Sequence, residues 1–192
     1  LSLHDALPIY GNVGVRYDNA TSTQSLTPSV TTNDHHVSPR GGLLWKPIEW
    51  LSVFGNFSEN FGPSNSMWNS TPGQQVLPPT LAHQWETGIK TAFLDGRLTT
   101  SFTYFDLTKT NLAVADAGNP SLQRASGEQE SRGYEFEVAG EILPGWRTVA
   151  AFTILDYARI NKDFVATAWD ADGNATAVGP GDTGHRMYNT PR

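Results

Sequence analysis

The chain contains no cysteine, which excludes a disulfide framework and a thiolate metal site and leaves the redox compartment unread. No run approaches the roughly 18 consecutive apolar residues of a membrane-spanning helix. That removes a helical anchor but says nothing of strands, which cross a bilayer with about 9 to 11 residues, every second one apolar. Basic residues are few and scattered: 13 Lys and Arg stand against 19 Asp and Glu, for a formal net charge of -6. Nucleic acid is thereby set aside as a partner, because neutralising phosphate needs clustered cations. Neither a Gly-x-Ser-x-Gly elbow nor a phosphate-cradling glycine loop occurs, so an enzymatic reading has no support.

What is present favours strands. Only 38% of the 192 residues are hydrophobic, yet they include 6 Trp, 6 Tyr and 9 Phe, beside 18 Gly and 12 Pro. That mixture suits many strands and turns, and the fold class expected is all-β. Three short turns recur at nearly equal intervals: Lys46-Pro47-Ile48-Glu49, Leu94-Asp95-Gly96 and Leu143-Pro144-Gly145. Each joins two runs that alternate apolar and polar residues, and the connections between those hairpins read as long and polar. Tight turns at one rim and long loops at the other are what a transmembrane β-barrel needs. The leader Leu1–Ile9 breaks this pattern. It lacks the basic start and small-residue cleavage site of a signal peptide and looks like translated adapter sequence, so residues 1–9 are expected to be a non-native leader.

Along the chain, Val13, Val15 and Tyr17 oppose Asn12, Gly14 and Arg16, with the period of two of a strand between unlike surroundings. Asp18 to Val37 reads as a long loop. Ser38 to Lys46 sets Leu43 and Trp45 against Arg40, Gly42 and Lys46, blurred by Leu44. Beyond the turn, Leu51, Val53 and Phe57 oppose Ser52, Asn56 and Ser58, with Phe54 an exception. Phe61 to Pro79 is proline-interrupted and reads as a second loop. Trp85, Ile89 and Phe93 then oppose Glu86, Gly88 and Lys90. After the Asp95-Gly96 hairpin signal, Leu98, Phe102 and Tyr104 oppose Thr99, Ser101 and Thr103. Tyr134, Phe136, Val138 and Ile142 interleave with Glu135, Glu137 and Glu141, and Trp146, Ala150, Phe152 and Ile154 share one side beyond the third turn.

A soluble sheet also alternates. Two features tilt the reading toward lipid. Trp50, Trp146 and Phe93 lie beside the short turns while Tyr104, Phe57 and Tyr17 lie nearer the far strand ends, as two interfacial aromatic girdles would. The polar face carries Arg40, Lys90, Glu135, Glu137 and Glu141, more charge than a sandwich core could desolvate. Seven strands and a stub ending at Arg192 cannot close, and an open edge is not tolerated in lipid, so a barrel fragment is expected.

Several segments, in order, resemble the TonB-dependent siderophore receptors of bacterial outer membranes, in particular the ferrichrome and ferripyoverdine receptor group. They are Ser38-Pro39-Arg40 with Gly42-Leu43-Leu44, the run Trp50–Phe61, Leu77-Pro78-Pro79, and Gln84-Trp85-Glu86 with Gly88-Ile89-Lys90. Asp95-Gly96-Arg97-Leu98, Phe105–Asn111, Gly127-Glu128-Gln129 with Ser131–Glu135, and Asn189 with Pro191-Arg192 complete the set. The resemblance implies an outer-membrane barrel of about 22 strands around a plug, with residues 10–192 supplying about seven or eight strands. The plug, the segment that contacts TonB and the barrel closure are absent from that range. It also implies uptake of ferric siderophores powered through TonB, with outer-membrane lipid as the surrounding partner.

Such a receptor performs no covalent chemistry and binds no cofactor of its own; iron arrives as cargo already ligated by the siderophore. Candidate contacts are loop side chains able to fit a chelate surface: Phe61, Asn65, Met67 and Trp68 in the second long loop, with Trp169 and Tyr188 further on. For each the competing reading is an exposed or loop-packing side chain. Asp170-Ala171-Asp172-Gly173-Asn174 hints at calcium, but its glycine and the position of a closing carboxylate do not fit an EF-hand, and a solvated turn is favoured. His35 and His36 read as exposed loop histidines, and no metal site is expected. Glu135 and Glu137 have a spacing broadly suited to an acid–base pair, yet Glu141 repeats it, and a row of carboxylates in a water-filled interior needs no catalysis. Two alternatives of other classes are a soluble all-β carbohydrate-binding module and a passive porin-like channel.

Overall fold

The computed structural model describes residues 8–24, 30–63, 77–115, 123–163, 165–169, 175–179 and 181–187. Seven strands, β1 (Ile9–Gln24), β2 (Val30–Ile48), β3 (Leu51–Gly62), β4 (Thr80–Phe93), β5 (Leu98–Ala115), β6 (Gln123–Leu143) and β7 (Trp146–Lys162), form one antiparallel sheet in simple sequence order. Two short strands, β8 (Val165–Trp169) and β9 (Ala175–Gly179), pair separately with each other. Among the described residues no helix is long and apolar enough to cross a membrane.

The alternation read from the sequence becomes a single register. Phe57 lies opposite Trp85, Ile89 opposite Phe102, Phe102 opposite Phe136 and Phe136 opposite Phe152, so the apolar sets of successive strands share one face. A sheet of this kind has no sandwich core. The buried apolar residues among those described are Phe54, Leu77, Ala158 and Ile160, whereas Val13, Trp85, Phe152 and many like them are exposed. A contiguous aromatic and aliphatic face of that extent is beyond what water-soluble monomers present.

The strands are longer than the sequence suggests. Asp18 to Val37, expected as a loop, is mostly paired: β1 and β2 stay in register from Ile9↔Trp45 to Gln24↔Val30. Polar residues on both faces erase the alternation there, but Thr and Asn side chains bond across the hairpin. Thr21 Oγ1 donates to Asn33 Oδ1 (2.8 Å), and the Thr23 and Thr31 hydroxyls meet at 3.0 Å. Likewise β5 and β6 pair out to Ala115↔Gln123.

The first tight turn sits two residues later than expected. Ile48 pairs with Leu51, leaving Glu49 and Trp50 as the turn, while Lys46 and Pro47 occupy a register shift after Trp45. The shift accommodates a proline that has no N–H for the ladder. The other two turns fall as read. Leu94, Asp95 and Gly96 all have positive φ (54°, 57°, 83°), with Gly96 N–H donating to Phe93 O at 3.1 Å. Pro144 and Gly145 link Leu143 to Trp146, with Gly145 at φ 80°.

Candidate functional site

The functional surface is the sheet itself, which has two chemically distinct faces. On the apolar face, Ile89, Phe102, Phe136 and Phe152 form one transverse row, and Thr87, Tyr104, Tyr134 and Ile154 form the next toward the far end. Aromatic contacts tie the rows together: Phe57 to Trp85 at 4.6 Å, Tyr104 to Tyr134 at 5.3 Å and Phe102 to Tyr134 at 5.8 Å between ring centroids. Beside the turns, Trp50 stacks on Phe93 at 5.6 Å. From the Phe93 level to the Trp85 level is about 27 Å along the strand, or about 20 Å once a barrel tilt is allowed for. That height suits a hydrocarbon band between two aromatic girdles.

The opposite face is polar by the same parity. Arg40, Glu86, Lys90, Glu135 and Glu137 all belong to it through the strand registers. Gln84 Nε2 donates to Glu86 Oε1 (2.5 Å), and Ser101 Oγ donates to Glu137 Oε2 (3.2 Å). Near the turns this face holds a cleft of about 350 Å³ bordered by Lys46, Glu49, Ser52, Lys90, Ser101 and Glu137. Glu141 instead caps the third turn, accepting Gly145 N–H at 2.7 Å. The three carboxylates thus remain a wetted row, with Glu141 assigned to turn closure.

The far end is a polar crown. A bulge between Arg132 and Gly133 leaves Asp156 unpaired and sets Tyr157 opposite Arg132; the guanidinium lies 4.3 Å from the Tyr157 ring centroid, with that of Arg159 at 5.5 Å. Tyr157 Oη donates to Asn161 Oδ1 (2.9 Å), Asn161 Nδ2 donates to Glu130 Oε2 (2.7 Å), and Lys162 Nζ meets Glu128 Oε2 at 2.5 Å. Below the β8–β9 pair, Thr183 Oγ1 donates to the Asp163 carbonyl (2.7 Å) and accepts from its N–H (2.8 Å).

Of the candidate contact residues, the structure places Phe61 differently from expectation. It is not in a loop but near the end of β3, opposite Leu81. Its ring stacks on His36 at 5.6 Å and 8°, and His36 Nε2 contacts Glu59 Oε1 at 2.6 Å. The β2–β3 ladder stops at Arg40↔Ser58, next to Pro39, so this cluster joins the two strands where backbone pairing has ended. His36, expected as an exposed loop histidine, is instead a half-buried residue of β2, and its contact with Glu59 went unread because a histidine in an apparently unpatterned stretch carries no sign of its neighbour 23 residues away. Trp169 lies in β8 by its backbone, its side chain outside the described residues. Asn65, Met67, Trp68, Tyr188 and the calcium-like stretch 170–174 lie outside the described residues altogether. Among the described residues, no group of three or more metal-ligating side chains converges.

Comparison with known proteins matches residues 5–192 to the family described as TonB dependent receptor-like, beta-barrel. The chain belongs to that family. TonB-dependent receptors are outer-membrane β-barrels of Gram-negative bacteria, so the apolar face meets lipid, the tight turns face the periplasm and the polar crown faces outward. The metal-pseudopaline receptor CntO of Pseudomonas aeruginosa is 28% identical over 162 residues, covering 80% of this chain and 22% of the relative. The ferripyoverdine receptor of the same species is 32% identical over 136 residues, covering 67% of this chain and 16% of the relative. This TonB-dependent receptor chain therefore spans about a fifth of the length of the curated relatives it matches. The crystal structure of the siderophore receptor PiuA from Acinetobacter baumannii superposes with a TM-score of 0.74 over 95% of this chain and 27% of that one; at 24% identity this shows the shared fold. Membership of the family takes the place of the soluble carbohydrate-binding module and the passive porin.

Proposed function

We propose that the chain is a wall sector of an outer-membrane receptor that takes up ferric siderophores with energy delivered through TonB. The observation that carries this reading is the family match along 5–192 laid over a sheet with one lipid-facing and one wetted face. Two relatives whose names specify metal chelates, ferripyoverdine and metal-pseudopaline, support the cargo class. In this reading iron is substrate, held by the siderophore's own ligands, and the protein supplies shape, aromatic surface and hydrogen bonds. The outward end would make first contact through Phe61 and the neighbouring Asn65, Met67 and Trp68, with Trp169 and Tyr188 on the later connections. TonB would act through a plug enclosed by the wetted face, and no step of the cycle calls on an enzyme.

The test is growth of an iron-starved, receptor-deficient strain carrying the intact receptor gene, supplied with a panel of defined ferric siderophores and with metal-pseudopaline, in tonB-plus and tonB-minus backgrounds. Rescue by at least one ferric siderophore, lost without TonB, is expected. Rescue by metal-pseudopaline alone would move the cargo assignment, and TonB-independent rescue would overturn the energised mechanism.

A further inference from the structure

The lipid-facing side of the sheet is not evenly covered. Where β2, β3 and β4 pass one another, Gly41 sits opposite Phe57, Gly55 opposite Leu43, and Gly55 again opposite Thr87. All belong to the apolar face by parity. Around these small residues stand Val13, Leu43, Phe57, Trp85 and Tyr104, and together they enclose an open groove of about 650 Å³ whose exposed lining is almost wholly carbon. Thr87 adds no free polar group, since its hydroxyl donates to the Phe54 carbonyl at 3.0 Å.

The glycines that floor this groove are not required by the fold. Neither has a positive φ. A Cβ placed on Gly41 would meet nothing nearer than the Asn12 carbonyl oxygen at 3.6 Å, and one on Gly55 nothing nearer than the Glu86 carbonyl oxygen at 3.8 Å, both ordinary contact distances. On the wetted face the situation is reversed: a Cβ on Gly42 would press on the Asn56 side-chain oxygen and on the Asn12 amide at 3.2 and 3.3 Å, and one on Gly88 on the Phe102 carbonyl oxygen and on the Phe54 ring at 2.9 Å. The wetted-face glycines are roofed by neighbours of this chain. Those of the groove are open to whatever lies outside the wall.

What lies outside is set by the band in which the groove sits. Trp85 and Tyr104 place it directly beneath the outer aromatic girdle, continuous with the lipid-facing rows of Ile89, Phe102 and Phe136. We infer that the groove between Leu43, Phe57, Trp85 and Tyr104 is a seat for one acyl chain of an outer-leaflet membrane lipid, held in preference to the general annulus. A flat aromatic wall touches a neighbouring chain along one side; a groove floored by bare backbone surrounds it, and dispersion contacts scale with the atoms in reach. The inference rests on the family and its membrane orientation and stands whichever cargo the receptor carries.

The test uses the intact receptor carrying this segment, reconstituted in phosphatidylcholine vesicles doped with a phosphatidylcholine that bears a photoactivatable diazirine midway along one acyl chain. After illumination, adducts are mapped by peptide mass spectrometry. Labelling of Leu43, Phe57 and Trp85 at least threefold above Ile89, Phe102 and Phe136 is expected, falling to the level of the flat rows in a Gly41→Leu/Gly55→Leu variant. Heat-modifiable gel mobility checks that this variant forms a barrel; if it does not, the wild-type labelling map decides alone. Uniform labelling of the wild-type wall overturns the inference, as does enrichment that persists in a folded filled-groove variant. A disulfide-linked dimer formed by Leu43→Cys at the expense of lipid adducts also overturns it, by showing that a second copy occupies the groove.

Discussion

The ring of Phe54 lies across Gly88, its direct cross-strand partner, so closely that a Cβ on Gly88 would fall 2.9 to 3.0 Å from the ring edge. Lys90 Nζ stands 4.9 Å from the same ring centroid, so a cation caps an aromatic that covers bare backbone. This explains why Phe54, alone among the residues of β3, is a buried apolar group on the wetted face. It shields a glycine strand position that would otherwise have no side-chain packing.

Replacing Gly88 by Val is therefore expected to lower the unfolding free energy of the intact receptor by about 1–3 kcal/mol, since an added side chain must displace the Phe54 ring and meets the Phe102 carbonyl oxygen of β5 closer still. Gly55→Ala, one strand away and on the open lipid face, is expected to change it by less than about 0.5 kcal/mol. Urea-induced unfolding in lipid vesicles, followed by tryptophan fluorescence, checks both. Equal costs at the two glycines would show that neither the Phe54 ring nor the Phe102 carbonyl obstructs a side chain at position 88.

Phe102 and Ser101 are neighbours in sequence that face different solvents. Phe102→Arg puts a charge inside the hydrocarbon band and is expected to cost about 2–4 kcal/mol, while Ser101→Arg enters the wetted side, near Glu137, and is expected to cost under about 1 kcal/mol. Assembly yield and vesicle unfolding titrations of the two variants measure the difference. Comparable penalties would contradict the assignment of faces.

Those faces were legible in the sequence wherever one side met lipid. Tyr134 to Ile142 and Trp146 to Ile154 alternate because their two surroundings differ, and the structure keeps them in that parity. The signal failed where both sides of a strand are wet. Thr21, Thr23, Thr31 and Asn33 look like loop residues because the hairpin above the membrane has no apolar side to display, yet they pair. It failed again at Phe54, whose reason lies on the neighbouring strand, and at His36, whose contact with Glu59 and Phe61 crosses a point where the ladder has ended. Periodicity reports what a strand faces. It carries no information about which side chain from another strand arrives there.

At the second turn the sequence signal and the backbone disagree in one residue. Asp95 and Gly96 suit left-handed conformations, but Leu94 is also held at φ 54°, a region that disfavours a bulky side chain. Leu94→Asn is expected to raise stability by about 0.5–1 kcal/mol, because asparagine tolerates that backbone at little cost. The same vesicle titration reads it. A loss of stability would indicate that the exposed Leu94 side chain contributes more by contact with the periplasmic membrane interface than its backbone conformation costs.

His36 and Phe61 present the ordered aromatic pair of the outward crown, and their parallel stacking holds the Phe61 ring in one orientation with Glu59 bonded behind the imidazole. If that ring meets the cargo, as proposed, His36→Ala should weaken binding by freeing Phe61 to rotate while leaving the barrel assembled. A stacking contribution of about 0.5–1.5 kcal/mol corresponds to roughly a 2- to 12-fold rise in the dissociation constant. Phe61→Ala should cost at least as much, and Phe61→Tyr should retain binding because the stacking face is preserved. Equilibrium binding of the ferric siderophore that supports growth, measured with the intact receptor alongside heat-modifiable mobility, separates this from misfolding. Unchanged affinity in a correctly assembled Phe61→Ala receptor would remove Phe61 from the contact surface and leave the His36–Glu59 pair as a brace between β2 and β3.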